Sequence, residues 1–352
     1  MANDKPSYRA ALIGCGRIGV TIDDEVEEKP NTVLPFSHAG GYAECDRVEL
    51  VAAADIDEEQ LRTARERYDI PRGYADYREM IDEEAPDIVS VATRPAPHRD
   101  MVCYAAEHGV PAIYCEKPLC RSMNEADEMQ EACHDNGVHF NLGTVRRYID
   151  VYQTARALVR DGELGEPQAI VGEVGASSTM WGHSHAVDML SFLNGDTAVD
   201  WVQGEADFDE EDLEGDRLMI DPTLRSACVG FANGVRGYLT QSGGWEFTVD
   251  GADGKLRILN DGYDTNLRYR HGEWNILEED HFPDTSLGSG PLGCIQELVA
   301  ALDGEGTTSG AIDAAVQGHE MCLGLLESQR RGGKRVELPL DNREFQVAPE
   351  HW

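Results

Sequence analysis

The stretch that decides the fold is AALIGCGRIG, residues 10–19, in which four apolar residues run directly into glycines spaced as GxGxxG. The apolar run predicts a buried strand, and the glycines permit a tight turn whose backbone N–H groups can approach a pyrophosphate. The pattern is a weak signal alone, and its position directly after a strand strengthens it. We therefore predict a dinucleotide-binding turn formed by Gly14, Gly16, Arg17, Ile18 and Gly19.

The sequence on either side of this stretch alternates apolar runs with helical segments as far as Leu142. Helix starts and ends are marked by capping-box pairs and by glycines, namely Asp57 with Gln60, Asp76 with Glu79, Ser122 with Glu125, Gly109 and Gly137. The predicted strands are Ala10–Ile13, Glu49–Ala54, Ile88–Ala92, Ala112–Cys115 and Val138–Leu142. This alternation predicts an α/β domain, residues 1–145, with a doubly wound parallel sheet covered on both faces.

A different pattern follows residue 145. A helix is predicted over Asp150–Val159, and β-rich segments with glycine turns continue through Leu256–Leu259. The acidic stretch Gln203–Asp216 is expected to be an exposed loop, and two further helices are predicted over Leu292–Leu302 and Ile312–Ser328. Residues 146–352 are therefore expected to form a second, α+β domain.

The acidic residue Asp55 ends the second predicted strand, where a carboxylate can accept hydrogen bonds from the ribose hydroxyls of an adenosine. Asp55 would also repel a 2′-phosphate, and neither Ile56 nor Asp57 supplies a cation to attract one. NAD is therefore favoured over NADP as the cofactor, although Arg17 could still reach a phosphate.

The spacing between the glycine turn and Asp55 indicates an insertion. Asp55 lies 41 residues after Gly14, where this fingerprint expects roughly 20. The segment Ser37–Ala43 has the character of the helix that usually follows the glycines, so residues 20–36 are taken as inserted at the mouth of the cofactor site. A solvated loop and a lid over the site are both open interpretations of this insertion.

A lysine follows the fourth predicted strand in the segment Tyr114-Cys115-Glu116-Lys117-Pro118. The carboxyl edge of an open α/β sheet is where ligands bind, and an ammonium group there can polarise a carbonyl or stabilise a developing alkoxide. Lys117 is one of only five lysines in the sequence. We predict a catalytic role for it.

Two histidines enter a predicted helix in the segment WGHSHAVDML, residues 181–190. His185 and Asp188, three residues apart, share a helical face, and a neutral imidazole near a carbinol is a suitable general base. For His185 and for His183 a purely structural role remains the alternative. A zinc site at this His-x-His pair is disfavoured, because no further ligands follow at metal-binding spacing.

The net charge excludes several classes of partner. Asp and Glu number 66 against 30 Lys and Arg, which gives a formal charge of −36. A protein with this charge repels nucleic acid and anionic membranes, so unaided binding to either is excluded. Strong acidity with so few lysines indicates a salt-adapted protein, since molar salt screens self-repulsion; an acidic mesophilic protein is the alternative.

The cysteines and the hydropathy pattern indicate the compartment. Nine cysteines are scattered without a CxxC pair, no N-terminal apolar signal segment is present, and no apolar run is long enough to span a bilayer. We expect reduced thiols in a soluble, cytoplasmic protein.

In order along the sequence, GCGRIG, SHAGGY, AAAD, ATRPAPH, CEKP, FNLGTVRRY and HAVD resemble the glucose-fructose oxidoreductase, inositol dehydrogenase and rhizopine-catabolism (Gfo/Idh/MocA) family. The resemblance implies an N-terminal Rossmann domain, and a C-terminal α+β domain whose large open mixed, mostly antiparallel sheet forms contacts in a homo-oligomer, a dimer or tetramer. It also implies a sugar or polyol substrate and NAD or NADP as cofactor.

The resemblance carries roles onto individual residues of this sequence. Lys117 becomes the catalytic lysine and His185 the acid/base, while Thr93, Pro95, His98 and Glu116 line the nicotinamide side. The substrate residues are Lys117, Arg146, Trp181, His185 and Asp188.

Two residues depart from the family pattern. Many polyol dehydrogenases of the family have an Asp four residues before the catalytic His, and Trp181 stands at that position here. His183 is therefore the candidate that takes the place of this Asp in the proton relay. Alternatively, Trp181 could stack on the apolar face of a sugar. Arg94 stands where small residues or Pro are common, and it either binds a substrate carboxylate or pairs with local acids.

The sequence leaves three candidate functions to compare. The leading one is a NAD-dependent dehydrogenase of a sugar or cyclic polyol, with Lys117 polarising the oxygen and His185 exchanging its proton. The second is a redox-neutral epimerase, eliminase or glycosidase on the same scaffold. The third is a non-catalytic dinucleotide or sugar sensor, which the presence of both Lys117 and His185 disfavours.

Overall fold

The computed structural model describes residues 7–30, 32–272, 276–350 and 352. Contacts between residues divide the chain into two compact units, and each unit is assembled from several segments. The first unit comprises the residues up to Cys120 together with Glu125–Tyr148 and Gly288–Ala315, and the second comprises Arg121–Asn124, Ile149–Leu287 and Val316–Trp352.

The first unit is built on a six-stranded parallel sheet with the strand order β3-β2-β1-β4-β5-β6. Its strands are short apolar runs buried on both faces, as a sheet covered on both sides requires. The strands are β1 Tyr8–Ile13, β2 Val48–Ala54, β3 Arg72–Tyr74, β4 Ile88–Val91, β5 Ala112–Cys115 and β6 His139–Leu142. The five predicted strands are confirmed within one residue at most ends, and β3 is an addition to them.

The helices of this unit are α1 Ile22–Val26, α2 His38–Ala43, α3 Glu58–Tyr68, α4 Tyr77–Glu84, α5 His98–Glu107, α6 Met123–Asp135 and α9 Gly290–Leu302, with α6 beginning in the segment assigned to the second unit. Asp57 caps α3 by accepting hydrogen bonds from the backbone N–H groups of Glu59 (2.9 Å) and Gln60 (3.2 Å). Asp76 accepts the N–H of Arg78 at the start of α4 (2.8 Å). Both predicted helix starts are confirmed.

Helix α9 returns the polypeptide to the first unit, which differs from the predicted single division after residue 145. Cys294, Ile295 and Leu298 of α9 are fully buried in one core cluster with Ala10 and Ile88 of the parallel sheet. The apolar face of α9 covers part of the sheet that the helices nearer the N-terminus leave open. Hydrophobic periodicity identifies such a helix, but it does not indicate which sheet the helix covers.

The predicted insertion begins as packed helix, which corrects the interpretation as a solvated loop for its first part. A π-helical turn over Arg17–Thr21 continues into α1, and Val20, Ile22 and Val26 are buried. Asp23 is also buried, and its Oδ1 accepts the backbone N–H groups of Phe36 and Ser37. This carboxylate ties the end of the insertion to its beginning.

The second unit is built on a large mixed sheet with the path β17-β16-β15-β14-β7-β13-β12-β9-β18, in which β8 pairs with β12. All its pairs are antiparallel except β7 with β13. The strands are β7 Pro167–Glu173, β8 Ser177–Ser178, β9 Val199–Ala206, β12 Thr223–Phe231, β13 Arg236–Thr240, β14 Glu246–Gly251, β15 Gly254–Leu259, β16 Asp264–Arg270, β17 Leu277–Asp280 and β18 Val336–Glu337. A smaller sheet pairs β10 Leu213–Glu214, β11 Arg217–Leu218 and β19 Gln346–Val347.

Three longer helices accompany this sheet, namely α7 Asp150–Arg160, α8 His183–Leu193 and α10 Ile312–Arg330, whose first residues still belong to the first unit. The expected exposed loop over Gln203–Asp216 is wrong in its first four residues. Gln203–Ala206 is the end of β9, and its side chains alternate between exposed and buried as a half-buried strand requires. Dense acidic composition concealed this period of two.

Among the residues that the structure describes, no helix combines the length and the apolar character needed to cross a membrane. Both sheets agree with the predicted fold class, a parallel Rossmann sheet and a large mixed, mostly antiparallel sheet.

Candidate functional site

The glycine turn after β1 requires glycine at two positions. Gly14 has φ +93°, and a Cβ there would lie 2.7 Å from the carbonyl oxygen of Ala92. A Cβ at Gly19 would collide with the carbonyl oxygen of Gly14, so the following helical turn packs against the strand only because Gly19 has no side chain. This bare, tightly folded backbone fits the pyrophosphate of a dinucleotide.

Asp55 stands at the end of β2, beside the glycine turn. Its Oδ2 accepts the backbone N–H of Cys15 (2.7 Å) and its Oδ1 that of Asp57 (2.8 Å). Arg17 points its guanidinium to Glu25, with Nε 2.8 Å from Oε2, and both side chains are exposed. Asp55 therefore lies against the glycine turn, and an acidic residue of the insertion holds the one cation of the turn.

Lys117 follows β5 directly and is partly exposed. Its backbone N–H donates to Oε2 of Glu116 (3.1 Å), a carboxylate that is 5% exposed. Gly143 makes room for this carboxylate, since a Cβ there would lie 2.5 Å from Oε1 of Glu116. The Glu116 carboxylate thus lies against the backbone of Lys117.

A buried network supports Glu116. Nε2 of His38 lies 3.2 Å from Oε1 of Glu116, Nδ1 of His38 lies 3.0 Å from Oγ of Ser90, and the Tyr42 hydroxyl lies 2.8 Å from the same Oγ. The His38 ring stacks on Tyr114 with centroids 3.9 Å apart. Burial alone would raise the pKa of Glu116, but the hydrogen bond with His38 and the nearby cations bring the pKa below its usual value.

The SHAGGY segment contained His38, yet the sequence assigned it no role. Its helix α2 is short, and only the pairing of distant strands brings it to Glu116.

His98 is fully buried at the start of α5. Its Nδ1 lies 3.1 Å from the carbonyl oxygens of Pro118 and Leu119, and its Nε2 lies 3.2 Å from that of Thr93. Burial lowers the pKa of His98. Its ring connects the backbone that follows the lysine to the loop after β4, where Pro95 is buried and Thr93 is partly exposed.

Arg146 lies in the short helical turn Val145–Tyr148 and is partly exposed. Its neighbour Arg147 is fully buried and donates to the carbonyl oxygen of Ser309 (2.7 Å). Arg94 is exposed on the loop after β4.

In the second unit, a tightly held loop presents Trp181 just before α8. The backbone N–H groups of Met180 and Trp181 donate to the two carboxylate oxygens of Asp221, at 2.8 and 2.9 Å. A Cβ at Gly182 would collide with Oγ of Ser177, so glycine is required there. The indole of Trp181 is 36% exposed, which leaves it accessible to a ligand.

The first turn of α8 contains both candidate histidines. His183 is 2% exposed, and neither of its ring nitrogens has a hydrogen-bond partner among the described residues. Burial lowers the pKa of His183 to about 4, so this imidazole is neutral at neutral pH. Asp188 is buried one turn beyond His185, as the spacing predicted.

The aromatic residue Trp245, which the sequence motifs did not reveal, lies against His185. The two rings meet edge to face, with centroids 6.4 Å apart and planes at 81°. Trp245 follows Gly243 and Gly244 in the connection between β13 and β14, and a Gly-Gly-Trp turn is the only local signal of it.

Metal binding finds no support in the described part of the protein. No group of three or more His, Cys, Asp and Glu side chains there is arranged to hold an ion.

Comparison with known proteins identifies the first unit. Residues 8–144 match the model of the GFO_IDH_MocA family, described as an oxidoreductase family with an NAD-binding Rossmann fold. This part of the chain is similar to the Gfo/Idh/MocA family. The matched range contains the glycine turn, Asp55 and Lys117.

Two curated relatives illustrate the similarity of the sequence to known proteins. The D-apiose dehydrogenase of Paraburkholderia graminis is 32% identical over 160 residues, which cover 46% of this chain and 38% of that protein. The inositol 2-dehydrogenase of Salmonella typhimurium is 28% identical over 176 residues, 49% of this chain and 48% of that protein. The chain thus spans about half or less of the length of these relatives.

Similarity of fold extends further along the sequence. The crystal structure of aldose-aldose oxidoreductase from Caulobacter crescentus, complexed with glycerol, aligns with a TM-score of 0.75 and 20% identity over 94% of this chain and all of that one. Both units of the chain therefore share their fold with that structure.

Proposed function

We propose that this protein is a NAD-dependent oxidoreductase that oxidises a hydroxyl of a sugar or cyclic polyol, inositol-like or aldose-like, or reduces the corresponding ketone. One observation carries the proposal: the glycine turn and Lys117 follow β1 and β5, strands of the same parallel sheet, at the carboxyl edge where such sheets bind ligands. The names of the relatives support the same class of substrate.

Gly14, Gly16, Gly19 and Asp55 would hold the dinucleotide, with Arg17 and Ile18 completing the turn and Thr93, Pro95, His98 and Glu116 supporting its nicotinamide end. When bound, NAD supplies the electron acceptor for the carbinol carbon. NAD is proposed over NADP, because Asp55 opposes a 2′-phosphate and Glu25 already engages Arg17.

Lys117 supplies the positive charge that stabilises the substrate oxygen as it loses its proton. The buried Glu116 carboxylate holds the backbone of Lys117 and brings a negative charge close to its ammonium group, which favours the protonated amine.

His185 takes the hydroxyl proton as the general base, and Asp188, one turn further along α8, lies on the same helical face to orient it. His183 is neutral and its nitrogens are unpaired among the described residues, so it is suited to a hydrogen bond with a substrate hydroxyl. Arg146 and Trp181 complete the proposed substrate residues.

A substrate panel tests this function directly. Inositols, aldoses and uronic acids are incubated with the protein and NAD in molar KCl, and NADH is followed by its absorbance. At least one compound should produce NADH with the wild type and not with Lys117→Ala. Consumption of a compound without NADH would favour the redox-neutral enzyme, and binding without consumption would favour the sensor. A homo-oligomer and a cytoplasmic location stay predictions.

A further inference from the structure

Trp245 has a backbone conformation that its residue type disfavours. Its φ is +52°, in the left-handed region, where a bulky aromatic residue is strained. The preceding Gly244 has φ +120° and adopts it at little steric cost. The turn already contains two glycines, and a third glycine in place of Trp245 would relieve the backbone strain. The geometry of the turn therefore does not explain why a tryptophan occupies the strained position.

A second turn with left-handed backbone contacts Trp245. The carbonyl oxygen of Trp245 accepts the backbone N–H of Asp261 (3.1 Å), and both Asn260 and Asp261 have positive φ, +50° and +57°. The carboxylate of Asp261 in turn accepts the hydroxyl of Tyr152 (3.0 Å), a fully buried residue of α7. These contacts fix the backbone that carries the indole.

The indole that this backbone carries borders the proposed general base. It meets the His185 ring edge to face at 6.4 Å, and Trp245 is partly exposed. Strained backbone persists where the surrounding structure overdetermines it, which is typical of ligand-binding positions. An aromatic face beside an imidazole offers an apolar surface to any substrate whose hydroxyl reaches that imidazole.

We propose that Trp245 determines specificity by selecting ring-shaped substrates, pyranoses and cyclitols, over acyclic polyols. A pyranose or cyclohexane ring presents a fixed patch of C–H groups that packs on an aromatic face, whereas an acyclic polyol must first be ordered to present one. The proposal rests on the proposed function, in which His185 contacts the substrate.

The test compares six-carbon polyols that differ in ring closure. Kd is measured by tryptophan fluorescence in molar KCl with NAD present, using myo-inositol and D-glucose against the acyclic polyol D-glucitol, and KM and kcat are measured wherever NADH forms. The wild type should bind at least one ring compound more tightly than glucitol. Trp245→Ala and Trp245→Gly should weaken its binding and raise its KM about tenfold, with a smaller effect on kcat, while Trp245→Phe and Trp245→Tyr retain the preference.

Two matched variants separate this role from folding. Trp245→Gly also relieves strain, so its thermal midpoint should equal or exceed that of the wild type, and weakened binding then has no structural origin. Ala85→Gly relieves the same kind of backbone strain, at φ +43°, in the first unit. Tyr263→Ala removes an aromatic side chain that is 62% exposed in the second unit, which also contains Trp245. Both should leave Kd and KM unchanged.

The outcomes distinguish this proposal from the proposed function. If no ring compound binds more tightly than glucitol, or if Trp245→Gly binds as the wild type does, the specificity role is overturned even where NADH is formed. If binding of ring compounds depends on Trp245 but no compound yields NADH, the specificity role of Trp245 is supported and the proposed dehydrogenase function is overturned.

Discussion

The surroundings of Lys117 and of His183 differ in how their buried polar groups are paired. Beside Lys117 in the first unit, the buried ring of His38 is hydrogen-bonded to both Ser90 and Glu116. Around α8 in the second unit, His183 is buried with both nitrogens unpaired among the described residues, and Trp245 holds a strained backbone. Paired polar groups stabilise a rigid scaffold, whereas unpaired groups and strain cost stability and persist where function requires them.

The difference indicates a division of work. In the proposed function, the first unit holds the cofactor and Lys117, and the second unit supplies the groups that bind the substrate. Substituting residues in the first or in the second unit tests this comparison.

The largest expected effect concerns the proposed catalytic pair. Lys117→Ala and His185→Ala should each lower kcat by roughly 10² to 10⁴, because one removes the charge that stabilises the substrate oxygen and the other removes the proton acceptor. Steady-state kinetics measure this, and titration with NAD and the thermal midpoint serve as controls that should match the wild type. Unchanged turnover in Lys117→Ala would leave the dehydrogenase without its mechanism.

The next prediction concerns the substituted relay position. Because Trp181→Phe keeps an aromatic face and His183→Ala removes a buried imidazole, His183→Ala should reduce kcat more than Trp181→Phe does. The two variants are compared on one substrate at one pH. If His183→Ala left kcat unchanged and Trp181→Phe reduced it severely, Trp181 would be the substrate determinant instead.

Cofactor choice tests the first unit. NAD should bind at least tenfold more tightly than NADP, about 1.4 kcal/mol, since Asp55 opposes a 2′-phosphate. Glu25→Gln frees the Arg17 guanidinium and should narrow the difference. Calorimetric titration of both cofactors measures the ratio, and Glu28→Gln, which removes a nearby acidic charge of the same insertion, is the control. Equal affinities in the wild type would contradict the preference.

The smallest effect concerns pH. The pKa of His183 is about 4 in the fold because of burial, against an ordinary 6.5, so the unfolded chain binds its proton first as the pH falls. The stability of the wild type relative to His183→Leu should therefore decrease between pH 6.5 and 4 and stay constant above 6.5. His319 is depressed to about 4 in the same way and is present in both proteins, so it cancels in the comparison. A difference that does not depend on pH would mean that His183 is not buried as described.

Charge composition adds an effect common to both units. At −36 the fold repels itself in dilute buffer, and molar KCl reduces the Debye length to about 3 Å. The thermal midpoint should rise from dilute buffer to molar KCl. A flat or falling midpoint would mean that the protein is not salt-adapted.

The sequence by itself determined the elements and the chemistry that is local along the polypeptide. Short apolar runs, capping residues such as Asp57 and the glycine turn predicted the parallel sheet, and the motifs identified Lys117 and His185 as candidates. Those signals are local because strand burial, helix capping and glycine conformation depend on neighbouring residues.

Only the tertiary structure decided the partners that lie far apart in sequence. His38 reaches Glu116 across 78 residues, Trp245 meets His185 across 60, and α9 returns from the C-terminal part of the sequence to cover the first sheet. None of these pairs has a local pattern, because the hydrophobic burial and strand pairing that bring them together act through space. The same reason explains the failure over Gln203–Ala206, where pairing with β12 overrode an acidic composition that favours a loop.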